Sequence, residues 1–77
     1  MDEKEELWVL RGIWLKNPKV AVSAERLKRF AESFESVALL EDWKYTDLWG
    51  GIWECTGMTY GNDDLHTWVI EKAGWLD

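Results

Sequence analysis

The chain has 77 residues, with 15 Asp and Glu against 9 Lys and Arg, a net charge of −6, and 47% hydrophobic residues. Those figures predict one small, soluble, acidic domain, and they exclude a disordered tail, because Leu, Ile, Val and Phe number 19 of the 77 and exceed what a charged chain needs to collapse. The longest apolar runs, 7–10 and 37–40, are four residues each, far short of the roughly 20 that cross a bilayer.

The start, Met1 to Glu6, is acidic and lacks the basic and apolar regions of a secretory signal. A cytoplasmic protein is expected, and the single Cys55 suits that compartment. One cysteine excludes an internal disulfide, so a chain this short needs aromatic residues for its core. Seven tryptophans, at 8, 14, 43, 49, 53, 68 and 75, supply them. No repeat, low-complexity tract or linker divides residues 1–77.

Residues 7–15 combine Trp8, Val9, Ile13 and Trp14, which suits a strand with Leu7, Val9, Ile13 and Leu15 on one face and Trp8, Leu10 and Trp14 on the other. As a helix, the segment would be apolar almost all round, and a chain of this size cannot bury such a helix. Ser23 then caps an amphipathic helix of about 18 residues, with Leu27, Phe30, Ala31, Phe34, Val37, Ala38 and Glu41 at helical spacing.

Trp43–Trp49 and Ile52–Tyr60 read as a hairpin about Gly50-Gly51, a pair that permits the positive φ of a two-residue turn. That register sets Asp47 against Glu54, an unfavourable like-charge pair. Asn62, with Asp63 and Asp64 in the first turn, opens a carboxy-terminal helix carrying Leu65, Trp68, Val69 and Lys72 on one face. Gly74 ends it, and Trp75 packs back on Ile70. The order is β-α-β-β-α, an α+β fold with a small antiparallel sheet and its helices on one face; α-α-β-β-α and an all-α chain are the alternatives.

Chemistry-bearing motifs are sparse. Cys55 and His66 are the sole candidates for a nucleophile and its base, and the sequence supplies neither an orienting group nor an oxyanion site for them. One Cys and one His fall short of a structural zinc site, and Asp63 with His66 at i, i+3 is explained by helix capping. Gly50-Gly51 lacks the Lys and Ser or Thr of a phosphate loop. No enzyme activity, metal or cofactor is expected.

The charges are polarised along the chain. Residues 1–30 hold seven bases and five acids, whereas residues 31–77 hold two bases and ten acids. The basic stretch Lys16, Lys19, Arg26, Lys28 and Arg29 raises nucleic-acid binding as the alternative function, but the acidic remainder repels phosphate. The tryptophans either all fill the core or partly reach the surface.

The second option points to a non-enzymatic protein-binding module, in which Trp8, Trp14, Trp49 and Trp53 anchor a partner while Glu41, Asp42, Asp47, Glu54, Asp63 and Asp64 steer toward its basic surface. Such a protein acts by occlusion, as a nucleic-acid mimic where that surface normally holds DNA or RNA. Small acidic inhibitors from phages and mobile elements work in this style; the comparison is one of analogy. A homodimer through the same surface is a variant.

Overall fold

A computed structural model describes residues 5–47, 50–61 and 64–76. In chain order it contains β1 (Glu5–Arg11), β2 (Lys19–Ala21), α1 (Ala24–Glu32), β3 (Val37–Leu39), β4 (Lys44–Thr46), β5 (Ile52–Thr59) and β6 (Leu65–Leu76). The strands form one antiparallel sheet in the order β2-β1-β6-β5-β3, and β4 also pairs with β5. The sheet curls into a half-barrel, and α1 is the only helix among the described residues.

This corrects the expected β-α-β-β-α architecture with helices on one sheet face. The carboxy-terminal helix becomes a strand, the other helix and two of the strands change length, and two short strands, β2 and β3, are added. Residues 7–15 begin as the strand their composition predicts, but β1 ends at Arg11, and Leu15 N–H closes a turn onto the Gly12 carbonyl at 3.0 Å. β2 follows where only a basic loop was expected.

Ser23 does cap α1. Its backbone is extended, and its Oγ accepts from Arg26 N–H at 3.4 Å. The helix is nine residues long rather than about 18, because Ser33 ends it. The Ser33 hydroxyl donates to the Phe30 carbonyl, a local bond that competes with helix continuation. The β-branched Val37 then enters β3, and Val37 and Ala38 pair with Thr59 and Met58 instead of extending the helical stripe.

Gly50 and Gly51 both take positive φ, 88° and 117°, as a tight reversal requires. The strands they join are Lys44–Thr46 and Ile52–Thr59, so the connection spans five residues and the register differs from that of a two-residue turn. Lys44, not Asp47, stands opposite Glu54, and the expected repulsion becomes an attraction.

The largest correction concerns the carboxy terminus, where β6 replaces the expected helix. Its residues read equally well with period two: His66, Trp68, Ile70 and Lys72 on one face, Leu65, Thr67, Val69 and Glu71 on the other. β6 pairs with β5 over residues 65–71 on one side and with β1 over residues 69–76 on the other. The two ladders together reach every part of β6, overlapping at residues 69–71, and outweigh the capping signal at Asp63 and Asp64. Asn62 and Asp63 themselves lie outside the described residues, as does Trp49, and the packing expected of the Trp75 side chain is likewise outside them.

The register puts Leu10, Ile70 and Trp53 in one cross-strand row and Trp68 with Cys55 in another, all on the concave face. Leu27 and Ala31 of α1 fill that concavity, and Trp8, Leu10, Trp68 and Ile70 close around them. Each fully buried aliphatic or aromatic side chain contributes about 1.5–3 kcal/mol. Trp14 reaches the core from the β1–β2 loop. Its ring lies 4.7 Å from that of Trp68, and its Nε1–H donates to Thr59 Oγ1 at 2.7 Å. The face bearing Trp8, Leu10 and Trp14 is therefore the covered one.

Candidate functional site

The strand order gives the charge polarity of the chain a spatial form. β2 and β3–β4 occupy opposite edges of the sheet. Arg11, Lys16, Lys19, Arg26, Lys28 and Arg29 lie on β1, β2, α1 and their connections, with Glu25 the one acid between residues 11 and 29; Glu5, Glu6 and Glu32 share those elements, and Lys28 reaches across to Trp53 of β5. Glu41, Asp42, Asp47 and Glu54 belong to the β4–β5 side, with Lys44 as the one base between residues 37 and 61.

Glu41 has a structural task on that edge. β3 and β4 are separate strands, and between them Leu40 N–H donates to the Thr56 carbonyl at 2.9 Å. The Glu41 carboxylate takes the place of the missing strand residue, accepting from Thr56 N–H at 3.3 Å and from the Thr56 hydroxyl at 3.0 Å, with the Lys44 ammonium 3.4 Å away. The Thr56 hydroxyl bond is the main cause holding its carboxyl below the ordinary value; partial desolvation opposes it, and Lys44 and Thr56 N–H assist.

Because the unfolded chain binds that proton more tightly, the stabilisation from Glu41 is present above its unfolded value of about 4.3 and is lost as the pH falls through the lower folded value. Glu41→Gln keeps the shape and removes the charge. We expect thermal midpoints of the wild type and this variant to differ at neutral pH and to converge as the pH drops below about 4. A constant difference across that range would remove the carboxylate's charge from the account.

The Cys55 thiol is buried and donates to the Glu41 carbonyl at 3.1 Å; burial pushes it up from its ordinary value, which makes it a poor nucleophile. His66 lies on β6 with its ring edge-on to Trp14, centroids 5.9 Å apart. The fold thus gives the thiol a carbonyl partner and the imidazole an aromatic one. Among the described residues no group of three or more His, Cys, Asp and Glu side chains could hold a metal ion. No described helix is long and apolar enough to cross a membrane.

The remaining site residues divide. Trp8 is buried, whereas Trp14 and Trp53 are half-buried. Asp42, Asp47, Glu54 and Asp64 are exposed, and Asp47 accepts from the Tyr45 hydroxyl at 3.5 Å. Asp64 stands apart from the others, beyond the Thr59 end of β5, which as an eight-residue strand extends roughly 25 Å from the Gly51 turn. Trp49 and Asp63 lie outside the described residues.

Next to the acidic edge the concave face opens as a groove of about 460 Å³, between the start of α1 and β4. Trp8, Trp53 and Tyr45 line it together with Glu6, Glu25 and Lys28. The Tyr45 and Trp53 rings pack at 4.7 Å, and Tyr45 keeps 50% of its surface in solvent. The Lys28 ammonium rests over the Trp53 ring, 3.1 Å from its centroid, and Lys72 pairs with Glu6 beside Trp8. The sequence reading missed this groove. In the sequence Tyr45 carries no charge and Lys28 is one member of a basic stretch; only the curl of the sheet brings Lys28 of α1 over Trp53 of β5. No family model, curated protein or solved structure matches the chain.

Proposed function

We propose that this chain is a non-enzymatic, cytoplasmic protein-binding module that docks its acidic β4–β5 edge on a basic surface of a partner protein and occludes it. The observation that carries the reading is the joining of Asp42, Asp47 and Glu54 on one exposed edge, beside an aromatic groove, along a stretch where Lys44 is the one base between residues 37 and 61. The acids accelerate encounter and set orientation, while half-buried aromatics supply the desolvated contact. Where the partner's basic surface serves DNA or RNA, the module acts as a nucleic-acid mimic.

The test is affinity capture from nuclease-treated lysate with the wild type beside Asp42→Lys/Glu54→Lys, two exposed positions whose replacement leaves the core intact. One stoichiometric protein partner, lost with the reversed charges, is expected. Retention of the partner by the variant, or recovery of nucleic acid alone before nuclease treatment, would sink the reading, the latter in favour of a nucleic-acid-binding regulator using residues 16–29.

A further inference from the structure

The groove contains a feature that the acidic edge does not explain. Lys28 is one of seven bases in the first 30 residues, yet its side chain is only 12% exposed and its ammonium lies on the face of Trp53. Its carboxylate neighbour, Glu25, is 3.6 Å away and 69% exposed, a long and solvated contact. Lysine side chains ordinarily extend to water, so the aromatic face is what retains this one. Lys72 repeats the arrangement more loosely, its ammonium 6.0 Å from the Trp8 ring centroid and paired with Glu6. The walls therefore bind cations, through ring faces and two carboxylates, and the chain's own lysines occupy them.

We infer that the Trp53 half of this groove is a receptor for an arginine side chain of the partner protein, with Lys28 as an internal stand-in that the incoming guanidinium displaces. The inference rests on the proposed function for the identity of the partner, and it adds the side chain recognised and the place that takes it.

A guanidinium is the better occupant. Its planar face stacks on indole, it is less strongly hydrated than an ammonium, and its fork matches a carboxylate, which Glu25 presents from the rim. Displacement is inexpensive for Lys28, whose four-carbon stem at the middle of α1 reaches water by rotamer change. The aromatic faces and the carboxylates of Glu6 and Glu25 disfavour an anion in the same place.

The experiment uses the full chain and three peptides: acetyl-Gly-Arg-Gly amide, its citrulline counterpart, which has nearly the same shape without the charge, and acetyl-Gly-Glu-Gly amide as the anionic control. Binding is read from the Trp53 indole resonance, identified by its loss in Trp53→Phe. The arginine peptide should shift that resonance in a saturable way and the citrulline peptide should not. Lys28→Met removes the internal competitor and should tighten arginine binding by about three- to tenfold. Trp53→Leu should abolish it in a chain whose amide spectrum is otherwise retained.

Three results would overturn the inference: no saturable shift in either the wild type or Lys28→Met, equal binding of the citrulline peptide, or weaker arginine binding in Lys28→Met. Binding of acetyl-Gly-Glu-Gly amide that Lys28→Met abolishes would also overturn it and make the groove an anion site. Should Trp53→Leu misfold, the Lys28→Met comparison still decides. Failure here with retained capture by the acidic edge refutes the groove alone; arginine binding without a captured partner refutes the proposed function alone.

Discussion

Trp68→Ala is expected to abolish cooperative folding. Trp68 is fully buried on β6, opposite Cys55 of β5, and its ring meets Trp14 at 4.7 Å and Phe34 at 5.5 Å. Removing a buried tryptophan costs about 3–5 kcal/mol through lost transfer energy and the cavity left behind. A domain of this size has about 4–12 kcal/mol in all. Urea titration followed by circular dichroism should show a broad, shallow transition or none.

Trp68→Phe is expected to be far milder. Among the described residues the Trp68 indole N–H is buried without a hydrogen-bond partner, an arrangement that costs about 1–3 kcal/mol. Phenylalanine leaves a smaller cavity than alanine and removes the unpaired donor, so the two effects offset and a loss below about 2 kcal/mol follows. A Phe variant as damaged as the Ala variant would mean that the indole N–H is satisfied in solution.

The second large effect is expected at Gly57. Its backbone is ordinary for a strand, so the requirement for glycine is one of space. A Cβ there would stand 2.7 Å from Val37 Cγ1, 3.0 Å from Trp14 Cη2 and 3.3 Å from Trp68 Nε1. Val37 belongs to β3, and the Trp14 ring is tied by its bond to Thr59, so neither neighbour is the free end of a flexible chain. Gly57→Ala should lose about 1–3 kcal/mol by overpacking. Gly57→Ala/Val37→Ala should lose less than the two single variants together, because the second substitution vacates the space the first invades. Strict additivity in urea denaturation would contradict this account of the contact.

These two positions also explain how far the sequence could be read. Trp68 was legible as a core residue on either assignment of its segment, since a large aromatic beside Val69 and Ile70 is buried in helix or strand alike. Gly57 was not legible, because nothing local to Cys55–Met58 announces Val37 or Trp14 as neighbours. The candidate site divides in the same way. Asp42, Asp47 and Glu54 were identified from charge and type, and their exposure follows from being carboxylates on an edge. The separation of Asp64 from them, the structural bond of Glu41 to Thr56, and the placement of Lys28 on Trp53 all depend on which strands pair.

By itself the sequence determined what local chemistry controls: the Ser23 cap, the reversal at Gly50 and Gly51, a strand at the start of residues 7–15, and a core built on tryptophan. The tertiary structure decided the rest. The sequence of residues 62–76 carries caps and spacing for a helix and an alternation for a strand, and local energies of a few tenths of a kcal/mol per residue do not choose between them. The choice belongs to β5, which pairs with residues 65–71, and β1, which pairs with residues 69–76, while Trp68 and Ile70 are buried. With β6 and β5 in place, Val37–Leu39 pair with β5 instead of prolonging α1, and the groove that holds Lys28 comes into being, because nonlocal pairing satisfies more backbone and buries more surface than any one segment can alone.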